Sequence, residues 1–144
     1  MNRTRPILLV EDNPMDLDLT LRAFGRGEAT RHIEVARDGE EAMEWVDRWE
    51  SGVPVPSVIL LDLHLPKVDG MDVLRRIKAH EALRAVPVVV LTTSTEASDM
   101  ATAYQLGANS FIVKPVAFEQ FVEVAAQIDR YWTHLNHFEP GLLP

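Results

Sequence analysis

Four apolar runs in this chain each end in polar residues that suit one chemical site. Ile7-Leu8-Leu9-Val10 leads into Glu11-Asp12, and Val58-Ile59-Leu60-Leu61 into Asp62. The stretch from Val86 to Leu91 leads into Thr92-Thr93, and Ser110-Phe111-Ile112-Val113 into Lys114-Pro115. Continuous rather than alternating apolar runs mark strands buried on both faces, as in parallel sheets. In an open parallel sheet the carboxyl ends of the strands share one edge, so these acids, the hydroxyl and the lysine are expected to converge there. Such a set points to phosphate and divalent-metal chemistry.

Helical signals fill the intervals. Asn13-Pro14 supplies a cap and a favourable first helical residue, Leu17, Leu21 and Phe24 follow at helical spacing, and Gly25-Arg26-Gly27 closes the segment. A weaker strand is expected from His32 to Ala36, then a helix opening at Asp38-Gly39-Glu40-Glu41 and carrying Ala42, Met43, Trp45 and Val46. Val68-Asp69-Gly70 precedes a helix with Val73, Leu74 and Ile77 inward. Thr95 is the expected cap of a fourth helix carrying Ala97, Met100, Ala101 and Tyr104 and ending at Gly107, and a fifth begins near Phe118. Five strands alternating with five helices predict an α/β protein: a doubly wound, flavodoxin-like (βα)5 sheet of order 2-1-3-4-5 with right-handed crossovers.

Composition narrows the function classes. The chain of 144 residues suits one well-buried domain. It has no cysteine, which removes disulfides, thiolate zinc sites and thiol nucleophiles. A net charge of −8 argues against binding nucleic acid, which needs a basic face. The amino terminus runs straight into an apolar strand without a signal-peptide core, and the longest apolar runs fall far short of the roughly 18 residues of a membrane span. A cytoplasmic protein is expected.

Glu11-Asp12, Asp62, Thr92 and Lys114-Pro115, with Leu65-Pro66 and Asp69-Gly70 after the central acid, resemble the receiver domain of two-component response regulators over about residues 5 to 130. Within that family the chain is similar to single-domain regulators partnered with phytochromes, through Leu91-Thr92-Thr93-Ser94 and its aromatic-rich C-terminal segment. The resemblance makes Asp62 the acceptor of a phosphoryl group from a sensor histidine kinase, with Thr92 and Lys114 contacting the transferred group. It implies Mg²⁺ held by Glu11, Asp12, Asp62 and the backbone carbonyl of His64. Clustered carboxylates repel one another unless a cation neutralises them, and Mg²⁺ favours oxygen ligands, so the chemistry agrees. The resemblance also makes Phe111 an aromatic switch and the Lys114–Pro115 peptide a cis bond. The protein would be a self-modifying phosphoacceptor rather than a true enzyme, and would signal by contact with a protein target or phosphotransfer protein.

Other readings of the same residues stand beside these. Glu11-Asp12 can favour a helix N-terminus, any of Thr92, Thr93 and Ser94 can cap a helix, Lys114 can be a surface lysine, and Phe111 can be ordinary core. The imidazole of His64 can shield an acyl phosphate or face solvent. An aspartyl-phosphate hydrolase would want a second acid two residues after the nucleophile, where this chain has His64. A pseudo-receiver would keep the fold without the chemistry.

At the C-terminal end Phe118, Phe121, Val122, Ala125, Ile128, Trp132 and Leu135 form one helical stripe that Val124 and Tyr131 widen. The expected organisation is a receiver over residues 5–130 and a helix extension and arm over 131–144, without an output domain. The wide stripe and the arm bearing Phe138, Leu142 and Leu143 suggest a homodimer, against an alternative in which Trp132 and the tail fold back over their own domain.

Overall fold

In the computed structural model, which describes residues 5–25 and 32–140, five parallel strands form one sheet in the order β2-β1-β3-β4-β5. Strands and helices alternate: β1 (Ile7–Val10), α1 (Pro14–Gly25), β2 (Ile33–Ala36), α2 (Gly39–Glu50), β3 (Val58–Leu61), α3 (Gly70–Ala79), β4 (Val88–Thr92), α4 (Ala97–Gln105), β5 (Ser110–Val113) and α5 (Phe118–Arg130). A single wide turn of π-helix, Tyr131–Leu135, extends α5. The expected fold and strand order are both present.

The strand residues divide between two cores because successive side chains point to opposite faces. Leu8, Val10, Ile59, Leu61, Val88 and Val90 pack with Ala42, Val46 and Trp49 of α2, Val73, Leu74 and Ile77 of α3, and Ala103 of α4. Ile7, Leu9, Val58, Leu60, Val89 and Leu91 pack with Leu17, Ala23 and Phe24 of α1 and Phe121, Ala125 and Ile128 of α5. Each of these large side chains contributes roughly 1.5–3 kcal/mol by leaving water.

Local chemistry sets most helix starts. Asn13 Oδ1 accepts from the backbone N–H groups of Met15 (2.9 Å) and Asp16 (3.0 Å). Asp38 accepts from Glu41 N (2.8 Å), and Asp69 from Met71 N (3.2 Å). The helix that begins at Ala97 departs from expectation. Thr95 does not cap it; Ser94 Oγ accepts from Glu96 N (3.3 Å) and donates to Asp99 Oδ2 (2.6 Å), so the serine one residue earlier organises the turn. Its inward face also differs, with Ala103 buried while Tyr104 is half exposed.

The last described segment contacts the domain at two points. Trp132 packs against the α1/α5 core, and the Arg5 guanidinium lies 4.9 Å from the centre of the Phe138 ring. Trp132 and Phe138 therefore rest on their own domain, while Tyr131 and Leu135 between them face outward. Arg26 and Gly27 of the expected helix stop, and Gly141, Leu142 and Leu143 of the arm, lie outside the described residues.

Candidate functional site

Strand register brings the acids together before any side chain is considered. Val10 pairs with Leu61 across β1 and β3, so the next residues, Glu11 and Asp62, emerge side by side. Asp62 N donates to Val10 O (3.1 Å), and Glu11 N to Ala36 O (3.0 Å), which keeps both backbones in line with the sheet as the strands end. Thr92 pairs with Val113, and Lys114 N donates to Thr92 O (2.8 Å), so the hydroxyl and the lysine leave one ladder together.

The Asp62 carboxylate, on a residue only 8% exposed, has distinct surroundings at its two oxygens. Oδ1 accepts from the Thr92 hydroxyl (3.0 Å) and the His64 backbone N–H (3.3 Å), while Oδ2 faces Lys114 Nζ at 3.4 Å. Lys114 is nearly sealed from water and donates to Glu11 Oε1, with Asp16 Oδ2 a third acceptor at 3.3 Å. Glu11 is itself 1% exposed, and its other oxygen accepts from Asn13 N (3.1 Å).

Burial raises the Glu11 carboxyl above the usual carboxylate range, and Asp62 pushes it the same way, against the pull of Lys114 and the Asn13 N–H. Burial alone would lower Lys114, but the hydrogen bond to Glu11 and the charges of Asp62, Glu11 and Asp16 outweigh it, so its ammonium is held above the ordinary lysine range. The lysine at this site is a fixed cation.

Oxygen atoms of Glu11, Asp12 and Asp62 lie within 4.8 Å of one another. Asp12 is exposed, which gives the cluster an opening to solvent. With Asp16 included, the site holds four carboxylates and one ammonium, so it is short of positive charge and offers only hard oxygen donors. Those properties fit a small divalent cation.

The loop after Asp62 is set by close packing. A Cβ on Gly70 would stand 2.3 Å from the carbonyl oxygen of Asp62, and one on Gly39 would stand 1.7 Å from that of Val68. Only glycine lets α2 and α3 begin against this loop. Gly70 N donates to Leu63 O (2.9 Å) and Gly39 N to Pro66 O (3.3 Å), which ties the loop to both helices.

A family model for the response regulator receiver domain matches residues 7–126. The chain belongs to the response regulator receiver family. This receiver is 47% identical over 136 residues to FilR2, a probable methanogenesis regulatory protein of Methanothrix harundinacea, covering 94% of this chain and 87% of that one. It is 35% identical over 134 residues to response regulator Rcp1 of Synechocystis, covering 91% and 90% of the two chains. The Mn²⁺-bound structure of Rcp1 superposes with a TM-score of 0.83 at 33% identity, covering 94% of this chain and 99% of that one. The bacteriophytochrome response regulator AtBRR is 49% identical with a TM-score of 0.70, covering 85% and 90%. Receivers hold a divalent metal in this acidic pocket, and the receiver reading of the sequence, with its likeness to phytochrome-associated regulators, stands.

The structure corrects one expectation about this receiver's site. The described residues contain no cis peptide bond, so Lys114–Pro115 is trans. Lys114 needs no such bond to reach the acids, because the ladder bond to Thr92 aims its backbone and three carboxylates fix its ammonium. The His64 imidazole turns toward α4, with Nε2 3.6 Å from Asp99 Oδ2. Thr93 is exposed, and Phe111 packs partly buried against the α2–α4 core. His32 is exposed and His80 lies 3.9 Å from Glu50. One group at the site went unread in sequence: Asp16 looks like a polar position on α1, and only the cap at Asn13, which puts it on the first turn beside the sheet edge, hints otherwise.

Proposed function

We propose that this receiver accepts a phosphoryl group on Asp62 from the phosphohistidine of a sensor histidine kinase and signals by a change in its protein contacts. The observation that carries the reading is the Asp62 carboxylate, buried at the strand edge with a hydroxyl, an N–H and an ammonium on its two oxygens. In the transfer the P–N bond breaks as an O–P bond forms to Asp62, giving an acyl phosphate. Lys114 neutralises charge on the transferring oxygens, and Thr92 passes its hydroxyl bond from Asp62 to a phosphoryl oxygen. Glu11, Asp12 and Asp62, with the His64 carbonyl, would hold Mg²⁺, which supplies further charge neutralisation at the phosphoryl oxygens. The loop that Thr92 begins leads to α4, and Phe111 lies beside it, so the α4–β5–α5 face is where the change would be read.

The similarity to the bacteriophytochrome response regulator AtBRR supports a phytochrome-type kinase as the phosphodonor. Among the described residues no helix is long and apolar enough to cross a membrane, which agrees with a cytoplasmic site of action. The receiver would span residues 5–130, with residues 131–144 an extension through which two copies pair. Tyr131 and Leu135, 50% and 60% exposed on that extension, support the pairing. Sedimentation giving a monomer both for the native chain and for Tyr131→Ala would remove the dimer.

The deciding experiment is intact-protein mass after incubation with acetyl phosphate and Mg²⁺. A metal-dependent gain of one phosphoryl group, absent in Asp62→Asn, is expected. No gain while calorimetry shows Mg²⁺ bound would make the chain a pseudo-receiver.

A further inference from the structure

The three N–H groups of Lys114 face three carboxylates, on Glu11, Asp62 and Asp16. Two of these have other duties once the site is in use. Asp62 becomes the acyl phosphate and Glu11 belongs to the acid trio suited to a cation, so both draw away from the ammonium as the reaction proceeds. Asp16 stands outside the trio whose oxygens converge within 4.8 Å. It approaches Lys114 from α1 rather than from a strand end.

Asp16 is also well held. Its backbone N–H is capped by Asn13 Oδ1 (3.0 Å) and its carbonyl accepts the Thr20 hydroxyl (2.7 Å). Its side chain is 34% exposed against 5% for Lys114, so it meets the ammonium from the solvent side. An acceptor there, carried on a rigid helical turn, keeps a lysine side chain extended along the strand edge while its inner contacts change. Without it, the ammonium has only Glu11 and Asp62, the two groups it must release.

We propose that Asp16 is a positioning residue for phosphoryl transfer: it is the pivot on which Lys114 exchanges Asp62 and Glu11 for the incoming phosphoryl oxygens. The proposal rests on Asp62 being the phosphoacceptor. It gives the first turn of α1 a part in the reaction rather than only in the packing of α1 on α5.

The test compares wild type, Asp16→Asn, Asp16→Glu, Lys114→Met and the Asp16→Asn/Lys114→Met double variant. The rate of phosphoryl gain from acetyl phosphate with Mg²⁺ is followed by intact mass. Asp16→Asn is expected to be about tenfold slower, Asp16→Glu to recover most of the rate, and Asp16→Asn to have no further effect when Lys114 is already methionine. A second readout needs neither metal nor phosphodonor: the ¹⁵Nζ signal of Lys114, identified by its absence in Lys114→Met, should broaden through solvent exchange in Asp16→Asn and sharpen again in Asp16→Glu. A faster Asp16→Asn, as expected if the carboxylate only repels an anionic donor, would overturn the proposal. So would an equal loss with and without Lys114, or an unchanged Nζ signal. A wild type inert to acetyl phosphate whose Nζ signal still depends on Asp16 would sink the phosphoacceptor reading and leave the Asp16 hold standing.

Discussion

Lys114 and Lys78 are drawn out of solvent at opposite edges of one sheet. Lys114, at the carboxyl edge, is ringed by the carboxylates of Glu11, Asp16 and Asp62. Lys78, at the amino edge, donates to Arg84 O (2.9 Å), Val86 O (2.7 Å) and Asn109 Oδ1 (3.1 Å), all of them neutral. Burial acts against the charge of both. At Lys114 the neighbouring anions reverse the effect, whereas at Lys78 burial without a counter-anion lowers the pKa to about 8. One lysine is held as a cation among carboxylates. The other is a clasp joining α3 to the loops before β4 and β5.

The sharpest way to break this contrast is to remove the charge at each edge. Lys114→Met should slow phosphoryl gain by about a hundredfold, since it deletes a preorganised cation from a buried site. A rate within threefold of wild type would mean that Lys114 only balances Glu11.

Gly70→Ala tests the frame rather than the charge. A methyl group 2.3 Å from the Asp62 carbonyl forces the site loop or α3 to move, and a loss of about 3 kcal/mol in urea unfolding is expected. An unshifted midpoint would show that the loop has room to give.

Lys78→Met should leave the rate of phosphoryl gain unchanged but cost about 2 kcal/mol, because three acceptors at the amino edge lose their donor. A slowed transfer would mean that the two edges are coupled. This variant also gives a pH signature. The folded pKa of about 8 lies below the ordinary lysine value of 10.5, so between those values the unfolded chain binds more protons and the contribution of Lys78 to stability rises with pH. The advantage of wild type over Lys78→Met should therefore grow from pH 8 toward pH 10. A flat difference in unfolding midpoints would contradict the lowered pKa.

Phe138→Ala should have the smallest effect, about 0.5–1 kcal/mol from the lost contact with Arg5. No change in thermal midpoint would detach the tail from the stability of the domain.

The strands were open to reading because their apolar runs are local and continuous: Ile7–Val10 and Val58–Leu61 are buried at every residue. The caps at Asn13, Asp38 and Asp69 were equally local. The α4 cap was not, because Thr92, Thr93, Ser94 and Thr95 offer neighbouring hydroxyls, and the tertiary bond of Thr92 to Asp62 decides how they divide their roles. The inward face of α4 was missed for a related reason, since Ala97, Ala101 and Ala103 are indistinguishable as small apolar residues until the helix is seated.

The order of buried strands and capped helices is written in local sequence, and so is the edge on which Glu11, Asp62, Thr92 and Lys114 meet, since each lies at the end of a strand. Tertiary structure alone decided that Asp16 completes the set around Lys114, that the 114–115 peptide is trans, that Lys78 is a clasp, and that Phe138 returns to Arg5. Those outcomes depend on contacts between residues distant in the chain, such as Asp16 and Lys114, and a side chain's charge state and partner follow from the groups that packing places around it.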